Sequence, residues 1–332
     1  MAQQRVLSGM RPSGKLHLGN LIGALENWKR LQDQYECFFF VADWHALTTD
    51  YERTDALQAN IREMVVDWLS VGLSPEKSVL FVQSRIKEHA DLHLLLSMIT
   101  PLAWLERVPT YKEQQQELAN RDLSTYGFLG YPVLQAADIL IYKAHKVPVG
   151  IDQVPHVELC REIARRFNFL YTTVFPLPEP VLTEVPKLLG IDGRKMSKSY
   201  NNAIYISDSP AEIREKVSQM FTDPQKIKRK DPGHPDICNV FAFHRVYSPA
   251  ETVEQIHVDC RRGVLGCVED KKNLAENLIR YLAPLHEARA RYLGNLGLVE
   301  EVLEAGCRKA RAFAQQTMAE VYEAMKLKPE TV

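Results

Sequence analysis

The chain has 332 residues, more than one compact domain of common size and suited to two. Apolar residues make up 45% and charged residues 25%, enough for a substantial core beneath a polar surface. No apolar run is long enough to cross a bilayer, Met1 to Val6 lack the apolar stretch of a secretory signal, and the six cysteines are scattered. These features predict a cytoplasmic protein without membrane association or a disulfide framework. The formal net charge of −1 argues only weakly against a nucleic-acid partner, because such a partner needs only a local basic face. Lys226, Lys228, Arg229 and Lys230 form one basic cluster, and Arg261, Arg262, Lys271 and Lys272 lie further on. Either could be such a face or simply a solvated surface.

In chain order, Arg5 to Leu7 reads as a strand, followed by a loop containing Pro12 and Gly14. The stripe Leu21, Leu25, Trp28 and Leu31 predicts a helix. Cys37 to Val41 is continuously apolar, as in a strand covered on both faces. Thr54 is placed to cap a helix whose stripe runs Leu57, Ile61, Met64, Val65, Trp68 and Leu69. Val79 to Val82 and Val147 to Val149 read as further strands. Alternating strands and helices predict an α/β fold, a parallel sheet with helices on both faces. Past about Tyr205 the strand signal fades. Pro210 opens a helix through Met220, and a polar basic segment runs to Pro235. Two long helical patterns then follow, one around Leu274, Leu278, Tyr281 and Leu285 with Pro284 as a kink, the other from Val299 to Val321. The division predicted is 1–205 and 206–332.

Pro12, Ser13, Gly14, Lys15, Leu16, His17, Leu18, Gly19 and Asn20 lie between the first strand and first helix, where a parallel sheet receives phosphates. Gly14 and Gly19 let a nucleotide approach the backbone, and His17 and Asn20 are spaced to donate to phosphate oxygens. Alone, the segment is equally consistent with a plain turn. Gly193 to Ser199 is a second basic loop, with Lys195, Met196, Ser197, Lys198 and Ser199 offering two ammonium groups and two hydroxyls to a polyphosphate.

Here a resemblance covers essentially the whole chain. His17-Leu18-Gly19-Asn20 resembles the first signature of class I aminoacyl-tRNA synthetases, and Lys195 to Ser199 matches the second letter for letter. The resemblance implies a Rossmann-type, doubly wound parallel sheet with a C-terminal all-helical anticodon-binding domain, ATP with Mg²⁺, tRNA as partner, and a homodimer. Asn20 stands where many members have a second histidine, as is familiar in the tryptophan branch. Arg11 stands where that branch often carries glutamine, and could alter ATP contacts or pair with a phosphate.

Tyr131 to Tyr142 reads as a helix with Pro132 in its first turn and Asp138 in an apolar stretch. A buried carboxylate needs a donor, which could be an indole N–H or a structural arginine or lysine. Ala136-Ala137-Asp138-Ile139-Leu140 resembles the tryptophan branch, in which the aspartate accepts the indole N–H, implying L-tryptophan and tRNA(Trp) as substrates. A required hydrogen bond of this kind discriminates by roughly 10⁴ or more. Gly150, Ile151, Asp152 and Gln153 resemble the segment that contacts ATP and the amino acid. By the same matching, Leu7, Tyr131, Val147, Val149 and Gln153 line the indole pocket or hold the α-amino group, although core packing would explain the apolar ones.

The implied roles are His17 and Asn20 on the phosphates and Lys195 and Lys198 on the departing pyrophosphate, with Arg11, Pro12, Ser13 and Gly19 around the nucleotide. Some relatives carry an iron–sulfur cluster on four cysteines near Cys238, Cys260 and Cys267, but Asp270 stands at the fourth position, which disfavours a cluster here. Rival readings are another adenylyl transferase on this scaffold, a non-catalytic tRNA-binding paralogue, and the tyrosine branch.

Overall fold

The structure, a computed structural model, describes residues 3–108, 123–182 and 188–327. Its strands are β1 (Arg5–Met10), β2 (Glu36–Val41), β3 (Ser78–Val82), β4 (Lys146–Val149) and β5 (Glu179–Leu182). They form one parallel sheet in the order β3-β2-β1-β4-β5. The order reverses beside β1, so the crevice for a ligand opens at the carboxyl ends of β1 and β4. Sequence reading missed β5, because Pro180 interrupts its short apolar run. A proline is tolerated there because β5 is an edge strand.

Alternate strand residues feed two cores. Val6, Cys37, Phe39, Val41, Leu80 and Val82 belong to one, and Leu7, Phe38, Phe40, Phe81 and Val147 to the other. Both faces are covered, which explains why Cys37 to Val41 is apolar at every position.

The first helical stretch is built in three parts: α1 (Leu18–Asn20), a π-helical segment Leu21–Leu25, and α2 (Glu26–Leu31). The expected stripe is buried, and Trp28 stacks on Phe39 with ring centroids 4.6 Å apart. After α3 (Asp43–Asp50) comes α4 (Leu57–Val71). Thr54 does not cap α4. Ala56 occupies the cap position, and the Thr54 backbone carbonyl instead accepts from Leu57 N in a preceding turn. Then follow α5 (Glu88–Ser97), α6 (Leu102–Glu106), α7 (Tyr126–Ile141) and α8 (Val154–Leu170). α7 begins earlier than expected because the Thr125 side chain accepts from Phe128 N and caps it there. Pro132 consequently sits in the helix interior rather than its first turn.

The C-terminal half is helical, as predicted: α9 (Pro210–Ser218), α10 (Asn239–Tyr247), α11 (Ala250–Arg261), α12 (Cys267–Leu293) and α13 (Leu296–Ala324). Pro210 is held in the first turn by a reciprocal Ser209–Glu212 capping box. These helices share both cores with the sheet. Leu274, Leu278 and Leu282 of α12 join one, and Cys307, Ala310, Ala314, Met318 and Val321 of α13 join the other. At Gly306 a Cβ would lie 1.8 Å from the Leu80 carbonyl oxygen, so glycine lets α13 lie directly on β3. Arg289 of α12 bonds the buried Asp67 of α4 at 2.5 Å and also reaches Glu63. Burial raises the Asp67 carboxyl to about 6, against the opposing pull of Arg289. Among the described residues, no helix is long and apolar enough to cross a membrane.

Candidate active site

Two loops distant in sequence meet at the carboxyl end of β1. Leu18 N donates to Ile204 O and Ile206 N to Leu16 O, both at 2.9 Å, and His17 pairs with Tyr205 in an antiparallel bridge. These bonds bring the second loop back against the first. Lys198 Nζ then donates to Gly14 O at 2.9 Å and to Ser13 Oγ at 3.3 Å. Gly14 has φ +107°, a conformation that favours glycine. Burial lowers the Lys198 ammonium to about 8; Asp67 opposes the shift and Arg11 adds to it. The buried Met196 packs beneath, its sulfur near Gly19.

His17 is the cap of α1. Its Nδ1 accepts from Asn20 N at 3.2 Å, while Asn20 Oδ1 accepts from His17 N at 3.1 Å. Burial and then the charge of Lys198 bring the imidazole down to about 4, so the ring is neutral at pH 7. With Nδ1 accepting, the ring proton resides on Nε2. One donor therefore remains for an anion, and Asn20 keeps its amide N–H groups.

The second loop is organised by a residue that sequence reading did not single out. Asn202 is buried; its Oδ1 accepts from Ser197 N at 2.8 Å, and its Nδ2 donates to Asp192 Oδ1 at 2.7 Å and Lys195 O at 3.1 Å. Gly193 takes φ +80° at the turn. Lys195 is exposed, and the side chain of Ser199 lies outside the described residues.

Beside these loops lies a cavity of about 390 Å³, a size suited to a small organic ligand. Leu7, Val147 and Val149 furnish apolar wall, and Arg11, Tyr131, Asp138, Gly150 and Gln153 also border it. Ile151 and Asp152 lie outside this lining and are exposed. Phe40 lies beneath Gly9, where a Cβ would sit 2.5 Å from its ring, so glycine keeps this floor open. Pro12 is buried, whereas Arg11 and Ser13 are exposed.

Asp138 is 1% exposed, and among the described residues its hydrogen-bond partners are two histidines and a glutamine rather than the structural arginine or lysine weighed against an indole N–H. Its carboxylate accepts from His45 Nε2 at 2.7 Å, His89 Nδ1 at 2.6 Å and Gln83 Nε2 at 2.8 Å. Burial alone would raise its pKa; the hydrogen bonds from His45 and His89 outweigh this and hold it below the ordinary carboxylate range. Burial of Asp138 therefore requires no ligand. Behind it, His89 Nε2 meets Tyr142 Oη at 2.7 Å. His45, Gln83 and His89 left no mark in the sequence, because they stand 93, 55 and 49 positions from Asp138.

The first basic cluster loses one member. Lys226 is buried, and its ammonium donates to Arg229 O at 3.1 Å and to Asp231 O, closing its own loop. Lys228, Arg229, Lys230, Arg261, Arg262 and Lys272 are exposed. For an iron–sulfur cluster the fit is poor. Among the described residues no three His, Cys, Asp or Glu side chains are grouped to hold a metal ion. Asp270 lies against His244 at 3.2 Å, and burial raises the Cys260 thiol to about 11.

The parallel sheet of this order brings the two loops together beside the cavity, an arrangement that the comparisons with known proteins identify as that of a class I synthetase. The family described as tRNA synthetases class I (W and Y) matches residues 2–283, and the chain belongs to it. It is 54% identical over 325 residues to the tryptophan--tRNA ligase of Thermotoga maritima, covering 97% of this chain and 99% of that protein. To the tryptophan--tRNA ligase of Aquifex aeolicus it is 48% identical over 393 residues, covering 97% and 100%. Its fold superposes with a TM-score of 0.90 on the crystal structure of Campylobacter jejuni tryptophanyl-tRNA synthetase complexed with ADP and tryptophan. That chain is 34% identical, with 97% of this chain and 100% of that one covered.

Proposed function

We propose that the chain activates L-tryptophan with ATP and passes it to the 3′ end of tRNA(Trp). The observation that carries this reading is the meeting of Lys198 with Gly14 and Ser13, in the loop that directly follows Arg11, a residue of the cavity that Asp138 also borders. On this reading a triphosphate lies across the two loops with its α-phosphorus toward the cavity. The tryptophan carboxylate attacks that phosphorus in line, forming the mixed anhydride and releasing pyrophosphate; a ribose hydroxyl of the terminal adenosine of the tRNA then attacks the acyl carbon, losing its proton, and AMP leaves as the acyl–phosphate bond breaks. The chain supplies position and charge rather than a covalent nucleophile.

His17 Nε2–H and the Asn20 amide serve the phosphates, and Lys195 and Lys198 the departing pyrophosphate. Arg11, Pro12, Ser13, Gly19, Gly150, Ile151, Asp152, Met196, Ser197 and Ser199 surround the nucleotide. Asp138 with Leu7, Tyr131, Val147, Val149 and Gln153 takes the amino acid. Mg²⁺ would enter with the nucleotide rather than on a dedicated protein site, and would supply charge neutralisation at the leaving group, as suits a hard cation that keeps much of its water.

Residues 206–332 form the tRNA-reading half, supported by the exposed cations Lys228, Arg229, Lys230, Arg261 and Arg262. A homodimer is supported by exposed Leu94, Met98, Leu102 and Tyr126 on neighbouring helices. The reading places the enzyme in the cytoplasm. ATP–pyrophosphate exchange with each of the twenty amino acids tests the whole. Exchange is expected with tryptophan, and an equal or faster rate with tyrosine or no exchange at all would overturn the reading.

A further inference from the structure

His156, the third residue of α8, is 1% exposed and belongs to none of the sequence motifs. It lies behind the cavity wall and touches two residues that border the cavity. Its Nε2 lies 2.7 Å from Tyr131 Oη and its Nδ1 lies 3.1 Å from Gln153 Oε1.

The directions of these bonds follow from donor and acceptor counting. Gln153 Nε2 donates to the Asp152 carboxylate at 3.0 Å, which orients the amide and turns Oε1 toward the ring. An amide oxygen only accepts, so His156 Nδ1 carries the proton. Burial, which outweighs the attraction of Asp152, brings the imidazole down to about 4, and a neutral ring has one proton. Nε2 must then accept, and the hydrogen in the bond between His156 and Tyr131 comes from the tyrosine. The Tyr131 hydroxyl proton points at the ring, so toward any other partner its oxygen acts as an acceptor.

We propose that His156 is a positioning residue that makes Tyr131 a hydrogen-bond acceptor for the ammonium group of the amino-acid substrate. This rests on the cavity being the amino-acid site, as read above. The substrate's α-ammonium has three donors and no acceptor, so a hydroxyl whose proton faced the cavity would repel it. The chain Asp152, Gln153, His156, Tyr131 sets the polarity of that hydroxyl from the protein surface inward.

The test compares two ligands by calorimetry: L-tryptophan and indole-3-propionate, which has the same ring and carboxylate but no ammonium. His156→Asn keeps a donor near the Nδ1 position for Gln153 and cannot reach Tyr131. His156→Gln places an amide oxygen near the Nε2 position. His156→Asn is expected to weaken tryptophan about tenfold, the scale of one lost hydrogen bond to a charge, while indole-3-propionate changes less than about twofold. His156→Gln should bring tryptophan back to within about threefold of the parent. Equal losses on both ligands would show a merely structural histidine and overturn the proposal. So would unchanged tryptophan affinity in His156→Asn, or a His156→Gln variant no better than His156→Asn. If the parent protein binds neither ligand, the reading of the cavity itself fails, and this inference goes with it.

Discussion

At the end proposed for the amino acid, polar groups that border the cavity are already engaged by protein: Asp138 by His45, His89 and Gln83, and Tyr131 and Gln153 by His156. At the phosphate end Lys195 is exposed, and the Lys198 ammonium rests on the neutral acceptors Gly14 O and Ser13 Oγ. The difference follows from what each end must hold. An indole ring fits a dry wall, and buried polar groups are tolerable when each has a partner. A triphosphate, on the proposed reading, needs opposing charge; Lys195 meets it from solvent, whereas Lys198 is half-buried, which lowers its pKa until an anion arrives.

If that division is real, changes at the two ends will separate rate from binding. Lys198→Ala should slow adenylate formation by about 10²–10³-fold, the scale of removing one group aimed at developing charge. Its calorimetric affinity for tryptophan should stay within about twofold of the parent. A comparable loss in both quantities would break the comparison.

Asp138→Ala should act on both recognition and folding. Removing the carboxylate strands the donors of His45, Gln83 and His89, at a cost of about 2–4 kcal/mol in denaturant unfolding. kcat/KM for tryptophan should also fall, by about tenfold or more. An unchanged kcat/KM would remove Asp138 from the pocket.

Gly306→Val sharpens the contrast from outside the site. The side chain meets the Leu80 carbonyl oxygen, which should destabilise the fold by about 1–3 kcal/mol and lower Tm. A Tm equal to the parent's would mean that α13 does not press on β3.

The smallest effect is one of pH. Lys198 is charged below its pKa and neutral above it, and burial places that pKa at about 8 in the ligand-free protein. Bound phosphates favour the charged form and pull the pKa back up. KM for ATP should therefore rise by a few fold as pH climbs through about 8, and Lys198→Ala should flatten that rise. His17, near 4, contributes no titration in this range.

Much of the fold was legible in the sequence because its signals are local. The apolar run at Cys37 to Val41 needs only to be covered on both sides, and the stripes of α12 and α13 follow helical spacing. The two short loops proposed for the phosphates were legible because such a site is made of backbone and a few side chains close in the chain. Caps and starts were less legible: Thr54 and Pro132 are acceptable helix starters, and only the turn before Leu57 and the Thr125 cap decided where α4 and α7 begin.

What the sequence determined by itself was the class of fold, the two loops and the presence of a lone acid in an apolar helix. Tertiary structure decided what surrounds that acid and where the helical half goes. His45, Gln83 and His89 converge on Asp138 from separate elements, and His156 joins Tyr131 to Gln153 across two helices. Arg289 and Gly306 bind the helical half onto α4 and β3. The reason is physical: periodicity and turn chemistry act over a few residues, whereas pairing of buried polar groups depends on which distant segments the packed core brings together.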